Sequence, residues 1–210
     1  MLMMVQTSPA LNTYHPPSSS DKPLQKINTY PPTGRCPCSH VTYTLSSAPL
    51  TVHACHCTYC QRETGSSFAL NAIYEPDRIA PTNGVTEAQL LHKAIPTASG
   101  PQGQTMVRCP ECLSVVWSHY AAEGPLKIVR VGTIDGAVDA AGRYVANGGL
   151  EPHAYIFARD EKRHRWFGVP EGAFVYEGHG PKEECWPEES LERLSRFSSC
   201  VAAFGDAREK

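Results

Sequence analysis

The sequence predicts a mainly β domain that ends in an α-helix. From Gly34 onward, short segments alternate apolar with polar residues, and Gly, Pro and Asp turns separate them. Near the C-terminus the apolar spacing changes to three and four residues, which is typical of an amphipathic helix. No internal repeat divides the chain, so we expect one domain with extensions.

Composition sets the broad class of the protein. The chain has 210 residues, of which 41% are hydrophobic, and this is enough for one domain with a core. A formal net charge of -2 argues against a nucleic-acid partner, which favours a basic surface. No apolar run approaches the ~20 residues of a membrane span. The N-terminus has no basic targeting pattern, so we expect a cytoplasmic protein without a membrane partner.

Residues 1–33 are predicted to form a flexible arm rich in Pro and Ser. This stretch contains six of the eighteen prolines, with Ser18, Ser19 and Ser20 between them. Such a composition buries too little apolar surface to become ordered. We therefore predict three parts: the arm at 1–33, a domain at 34–180, and an extension at 181–210 that contains the helix.

Seven segments of the body have the pattern of strands: HVTYTL, SFALNAIYE, MVRC, LSVVWSHY, PLKIVRVGTID, HAYIFARD and AFVYEG. The segment VTEAQLLHKAI fits either a helix or a strand with a loop. In the last segment, Leu191, Leu194, Phe197 and Val201 are spaced by three, three and four residues. Pro187 precedes this segment and Gly205 follows it, which favours a helix between them.

Nine cysteines are many for a protein of this class. Their odd number, the lack of a recognisable signal peptide and the length of the chain all argue against a disulfide framework. Cysteines two residues apart in an extended segment also make strained disulfides. Clustered reduced thiols instead indicate a metal site.

Seven of the cysteines form three groups: Cys36 with Cys38, then Cys55, Cys57 and Cys60, then Cys109 with Cys112. A structural zinc takes four protein ligands, whereas a catalytic zinc takes three and keeps one position open. The two pairs can therefore form a closed site and the triplet an open one. In the triplet, alternate strand residues share a face and a turn brings in the third thiol.

Other divisions remain open at this point. Cys109 and Cys112 can pair with two cysteines of the triplet, and His53 or His56 can complete the triplet's ligand shell. An iron–sulfur cluster is a further use of clustered cysteines, although its usual spacings differ. Cys185 and Cys200 have no near partners, so we interpret both as buried thiols without a metal.

The three cysteine groups, in the order GRCPC, HACHCTYCQRETGSSFAL and RCPEC, resemble those of the glutathione-dependent formaldehyde-activating family, which includes centromere protein V. The resemblance extends over roughly 34–176. It implies a fold of several coiled antiparallel β-sheets around two zinc ions. By this resemblance the structural zinc is held by Cys36, Cys38, Cys109 and Cys112. The catalytic zinc is held by Cys55, Cys57 and Cys60.

The resemblance also implies a carbon–sulfur lyase that adds a thiol such as glutathione to an aldehyde such as formaldehyde. The same scaffold acting on another thiol adduct or specialised metabolite is an alternative. The second alternative is a binding module in which both zincs are structural. The triplet has no fourth protein ligand, and this argues against such a module. A chromosomal role is the third alternative. Such a role favours a basic extension, whereas the arm carries only Lys22 and Lys26 as basic residues, with the acidic Asp21. The sequence does not determine the oligomeric state.

One departure from the family pattern concerns the residues that follow two of the cysteines. The family usually has Gly after the second cysteine of each pair, where this chain has Ser39 and Leu113. Because Gly allows a positive φ, we expect the four-cysteine site to be looser or differently turned.

The remaining candidates have weaker signals. Two interpretations fit Arg62, Ser66 and Ser67 equally well: they anchor an anionic substrate, or they form a solvated turn. Backbone N–H groups near Gly65 are further candidate anchors. No proton-transfer role is assigned to His119, Asp135 or His153. The aromatic residues predicted to lie in the core are Trp117, Tyr155, Phe157 and Trp166.

Overall fold

The computed structural model describes residues 32–97, 100–139, 141–158 and 167–206. Most of the predicted arm, as well as Trp166, lies outside these residues, and the side chains of Cys200 and Val201 are also outside the description. The division into arm, domain and extension therefore stays a prediction.

The body is mainly β, as predicted, with thirteen strands in the described part of the chain. The strands are β1 Thr33–Arg35, β2 Thr42–Leu45, β3 Thr51–Cys55, β4 Ala69–Tyr74, β5 Ile79–Pro81, β6 Leu91–Thr97, β7 Gly100–Arg108, β8 Val115–Tyr120, β9 Lys127–Arg130, β10 Ala137–Val138, β11 Tyr144–Val145, β12 Ala154–Ile156 and β13 Phe174–Val175. The helices are α1 Thr58–Thr64, α2 Lys182–Cys185 and α3 Glu188–Asp206. No helix of the described residues is both long and apolar enough to cross a membrane.

The strands form three sheets. The large sheet has eight strands in the order β13-β12-β3-β4-β9-β8-β7-β6, and smaller sheets have the orders β1-β2-β5 and β10-β11. Most pairs are antiparallel, but β12 runs parallel to both β3 and β13. The ambiguous segment at 85–95 resolves into a short 3-10 helix, Glu87–Gln89, followed by β6.

Both faces of the large sheet are covered, which explains why all five residues of β3 are buried. One face packs with the three-stranded sheet around Tyr43, Val52 and Trp117. The other face packs with α2 and α3 around Leu50, Ile73, Ile128, Ile156 and Trp186. Trp117 and Tyr155 are buried, as predicted, whereas Phe157 is only half-buried.

The predicted C-terminal helix is α3, which follows the buried Pro187. Glu188 and Glu189 lie in its first turn, where negative charge favours the helix dipole. Leu191, Leu194 and Phe197 pack against the cluster around Trp186. The segment after residue 180 therefore contributes to the core.

A buried ion pair fixes α3 to the sheets. The Arg193 guanidinium donates to both oxygens of Glu75, at 3.2 and 2.8 Å. It also donates to the carbonyl of Ala48 and to the hydroxyl of Ser47, both at 3.1 Å. The Glu75 side chain is only 4% exposed. A carboxylate in such a place needs a charged partner with good geometry.

We therefore expect Arg193→Met to destabilise the protein strongly, because it leaves the Glu75 charge buried and unpaired. The expected loss in the free energy of unfolding is about 3–5 kcal/mol. Arg196→Met is the matched control: Arg196 is 70% exposed and lies 4.0 Å from Glu192. That variant should lose less than about 0.5 kcal/mol. Equal losses in urea unfolding at one zinc concentration would contradict the assignment.

Candidate metal centres

The seven clustered cysteines meet in two groups in the structure. In one group, all four sulfur atoms lie within 4.8 Å of one another, and they belong to Cys36, Cys38, Cys109 and Cys112. The other group meets the same limit with the sulfurs of Cys55, Cys57 and Cys60. This is the predicted four-plus-three division, and no pairing of Cys109 and Cys112 with the triplet occurs.

The four-cysteine group lies on the side of the large sheet that carries the three-stranded sheet. Cys36 follows β1 and Cys109 follows β7, and both are fully buried. The Cys38 sulfur lies 3.4 Å from that of Cys36 and 3.7 Å from that of Cys109. Four sulfurs around one zinc, each about 2.3 Å from it, stand about 3.8 Å apart. The donor set and its spacing therefore fit a closed tetrahedral metal site.

The two turns around this group have a positive φ although neither residue is glycine. Ser39 has a φ of 60° and Leu113 a φ of 62°, so both lie in the left-handed region. The expectation of a differently turned site is therefore wrong, and that of a looser site stays a prediction. Backbone hydrogen bonds hold both turns: Ser39 N–H donates to the Cys36 carbonyl, and Leu113 N–H donates to the Cys109 carbonyl. These bonds and the clustered sulfurs fix a conformation that costs a non-glycine residue about 1–2 kcal/mol.

Leu113 offers a direct test of this strain, since its side chain is 57% exposed and little packing is lost on truncation. Leu113→Gly should raise the free energy of unfolding above that of Leu113→Ala by about 1 kcal/mol, because Ala keeps the Cβ atom that strains the left-handed turn. Urea unfolding of both variants at one zinc concentration measures the difference. If Ala and Gly are equally stable, the turn is not strained.

The three-cysteine group lies on the opposite face of the large sheet, in the cluster that includes Trp186. Cys55 is the last residue of β3, Cys57 precedes α1, and Cys60 lies within α1. The third thiol thus comes from a short helix and not from the turn that the sequence had predicted. The Cys57 sulfur caps this helix by accepting the Cys60 N–H at 3.3 Å. Gly65, with a φ of 64°, ends it.

The thiols of this group are hydrogen-bonded to one another. Hydrogen bonds from the Cys55 and Cys60 thiols, followed by the backbone N–H groups of Cys60 and Tyr59, lower the pKa of Cys57 although burial opposes this. The pKa of Cys55 is raised, first by its hydrogen bonds to Cys57 and Cys60 and then by burial. Cys57 is half-buried, whereas Cys55 and Cys60 are buried. The Cys57 sulfur is therefore the most accessible of the three.

No histidine completes this group among the described residues. The His56 ring is fully buried and packs against Phe68, Tyr155 and Phe167, with centroids 5.2–6.1 Å away. The His53 ring packs against Trp186. Three thiolates of this spacing suit a soft divalent metal with one position left for another ligand.

The other candidates have different outcomes. Arg62 and Ser66 are exposed and Ser67 is half-buried at the end of α1, so their role as anchors stays a prediction. The residues left without a proton-transfer role each have a structural partner: His119 contacts Glu87, Asp135 contacts Arg35, and His153 accepts from the Val52 N–H. Cys185 is fully buried and outside both groups, as predicted.

The structure adds residues that the sequence did not indicate. Tyr120 packs against the apolar cluster of the triplet, and burial followed by the charges of Cys60, Cys55 and Cys57 raises its pKa. Phe157 has a φ of 52°, which is rare for a bulky residue outside functional sites. Phe157 directly follows Ile156, the register partner of Cys55. Arg130 is a further residue that the structure adds. The sequence offered a signal for it, because it is an arginine in the apolar strand KIVR.

Comparison with known proteins identifies the family of the chain. The model of the family described as glutathione-dependent formaldehyde-activating enzyme matches residues 31–160, more than half of the chain. The chain belongs to this family. A search of curated proteins found no match. Among solved structures, a crystal structure of a Rhodobacter sphaeroides protein is similar with 17% identity and a TM-score of 0.39, over 50% of this chain and 89% of that one.

Proposed function

We propose that this protein is a zinc-dependent carbon–sulfur lyase that joins a thiol to a carbonyl carbon or releases it. The observation that carries the proposal is the three-sulfur group without a fourth ligand among the described residues, in a chain of this family. The proposed substrates are a glutathione-like thiol and a small aldehyde such as formaldehyde. A different thiol adduct on the same scaffold is the alternative.

In this proposal zinc occupies both cysteine groups. Cys36, Cys38, Cys109 and Cys112 would hold a structural ion, and Cys55, Cys57 and Cys60 would hold the catalytic one. Zinc at the second group would favour the thiolate form of a substrate thiol and polarise a carbonyl oxygen. Three thiolate ligands make such an ion a mild Lewis acid, which suits carbon–sulfur chemistry better than hydrolysis.

The reaction balances without an oxidant or a reductant. The substrate sulfur forms a bond to the carbonyl carbon as its proton is lost, and the electron pair of the carbon–oxygen π bond moves to oxygen. That oxygen takes up one proton, so that a thiol and an aldehyde give a hemithioacetal, which for formaldehyde is the S-hydroxymethyl derivative of the thiol. The reverse reaction breaks the same carbon–sulfur bond.

Residues of this chain have three tasks in the proposal. Cys57 is the accessible ligand of the group, and its sulfur accepts the Cys60 N–H at the start of α1. The Tyr120 hydroxyl, beside the same sulfurs, donates a hydrogen bond to the substrate oxygen. Arg62 and the backbone N–H groups near Gly65 bind substrate carboxylates at the exposed end of α1.

Cobalt substitution tests the proposal, because thiolate-to-cobalt absorption reports sulfur ligands. Titration of the cobalt protein with glutathione should intensify this absorption, since a soft sulfur donor completes a three-thiolate shell. A small neutral thiol is titrated in parallel. Weaker binding of the neutral thiol supports recognition of glutathione, and equal affinity indicates another thiol substrate. No spectral change with either thiol would contradict the lyase.

Serine variants of the two groups provide the matched controls. Cys57→Ser should remain folded and lose the response to thiols, because it removes the accessible ligand of the open group. Cys109→Ser should lower the melting temperature, because a closed structural zinc contributes its binding free energy to folding. If Cys57→Ser unfolds the chain as severely as Cys109→Ser, both groups are structural and the protein is a binding module.

A further inference from the structure

A charged network beside the three-cysteine group has no part in the reaction proposed above. Glu63 lies on α1 three residues after Cys60, so the two side chains share one side of the helix. The Glu63 carboxylate accepts from Arg130 Nη2 at 2.8 Å and from Arg108 Nη2 at 3.3 Å. Its side chain is only 10% exposed. Glu63 therefore bridges two arginines from different strands of the large sheet.

Arg130 fixes the first end of this bridge. It lies on β9 and is buried, and its Nη1 donates to Asn71 Oδ1 on β4. Asn71 and Arg130 are direct register partners in the sheet. Arg130 is thus oriented by the sheet itself, independently of α1.

Arg108 fixes the second end, at the four-cysteine group. It is the last residue of β7 and directly precedes Cys109. Its Nη1 donates to the carbonyl of Leu113 at 2.9 Å. Leu113 directly follows Cys112 and has the left-handed conformation described above. The network therefore runs from the loop of the four-cysteine group to the helix that carries Cys60.

A helix as short as α1 needs such a contact. Seven residues are too few for a helix to be stable in water without tertiary packing. Cys60 is the only fully buried residue of α1, so few apolar contacts hold the helix on the sheet. The pair of charged contacts at Glu63 adds a constraint on its position, beside the bond that Gln61 Nε2 donates to the His56 carbonyl.

We propose that Glu63 is a positioning residue for the metal site of Cys55, Cys57 and Cys60, and that Arg108 links this site to the loop of the four-cysteine group. The proposal rests on metal binding at the triplet, which is part of the proposed function, and does not depend on the lyase reaction. Removing the carboxylate releases one side of α1 and lets the sulfur of Cys60 leave its place beside the other two.

The test is the cobalt affinity of the triplet in Glu63→Gln, measured on the full-length protein by absorbance with a competing chelator. Partners that orient metal ligands typically change metal affinity by roughly 10–100-fold. We expect Glu63→Gln to weaken the second, weaker cobalt site at least about 10-fold and to shift its d–d bands. The first site should keep its affinity, since its four sulfurs remain in place.

Glu123→Gln is the matched control, because Glu123 also forms an ion pair, at 2.6 Å with Lys182, but lies in the 3-10 turn Ala121–Glu123, outside α1 and the loops that carry the cysteines. This variant should bind two cobalt ions as the wild type does. An unchanged second site in Glu63→Gln would overturn the inference while leaving the proposed function intact. Equal weakening in both variants would also overturn it, since the effect would then be general destabilisation. A wild type that binds a single cobalt ion would contradict the proposed function itself.

Arg108→Gln keeps the test decisive if Glu63→Gln does not fold. The Arg108 side chain is 30% exposed, and its loss leaves the Arg130–Glu63 pair in place. We expect a smaller loss of affinity in the same direction at the triplet. Wild-type affinity and an unshifted spectrum in Arg108→Gln would overturn the link between the two groups.

Discussion

Neighbouring thiolates repel one another unless a cation lies between them, and this constraint bears on both faces of the large sheet. The chain brings four sulfurs together on one face and three on the other, and each group is part of a separate apolar cluster. The first group joins β1 to the end of β7, and the second joins β3 to α1. A metal at each place would relieve the repulsion, and at the four-cysteine group it would also hold together segments that are 71 residues apart in sequence.

The sequence was sufficient to predict seven of the strands and the grouping of the cysteines, because both depend on local spacing. Alternation identified β4 and β8, and the position of Pro187 identified the start of α3. The division of seven cysteines into four and three followed from ligand counts. The helix α1 was missed because seven residues are too few for a 3.6-residue period to be visible.

Contacts between distant residues could not be predicted from one sequence. Glu63 is separated from Arg130 by 67 residues, and Glu75 from Arg193 by 118. Glycine-free turns at Ser39 and Leu113 were also misjudged, because tertiary contacts hold a conformation that local preference disfavours. Trp186 and α3 lie beyond the family match at 31–160, yet they pack in the cluster of the open cysteine group. The surroundings of that group thus include residues that the family pattern does not specify.

The number of sulfur ligands per zinc tests the central claim most directly. X-ray absorption at the zinc edge, on protein in thiol-free buffer, counts these ligands without assuming an activity. Two zinc ions per chain should be found, with about 3.5 sulfur ligands on average, because one closed site has four and one open site has three. One zinc per chain, or a mean of four sulfurs, would contradict the account.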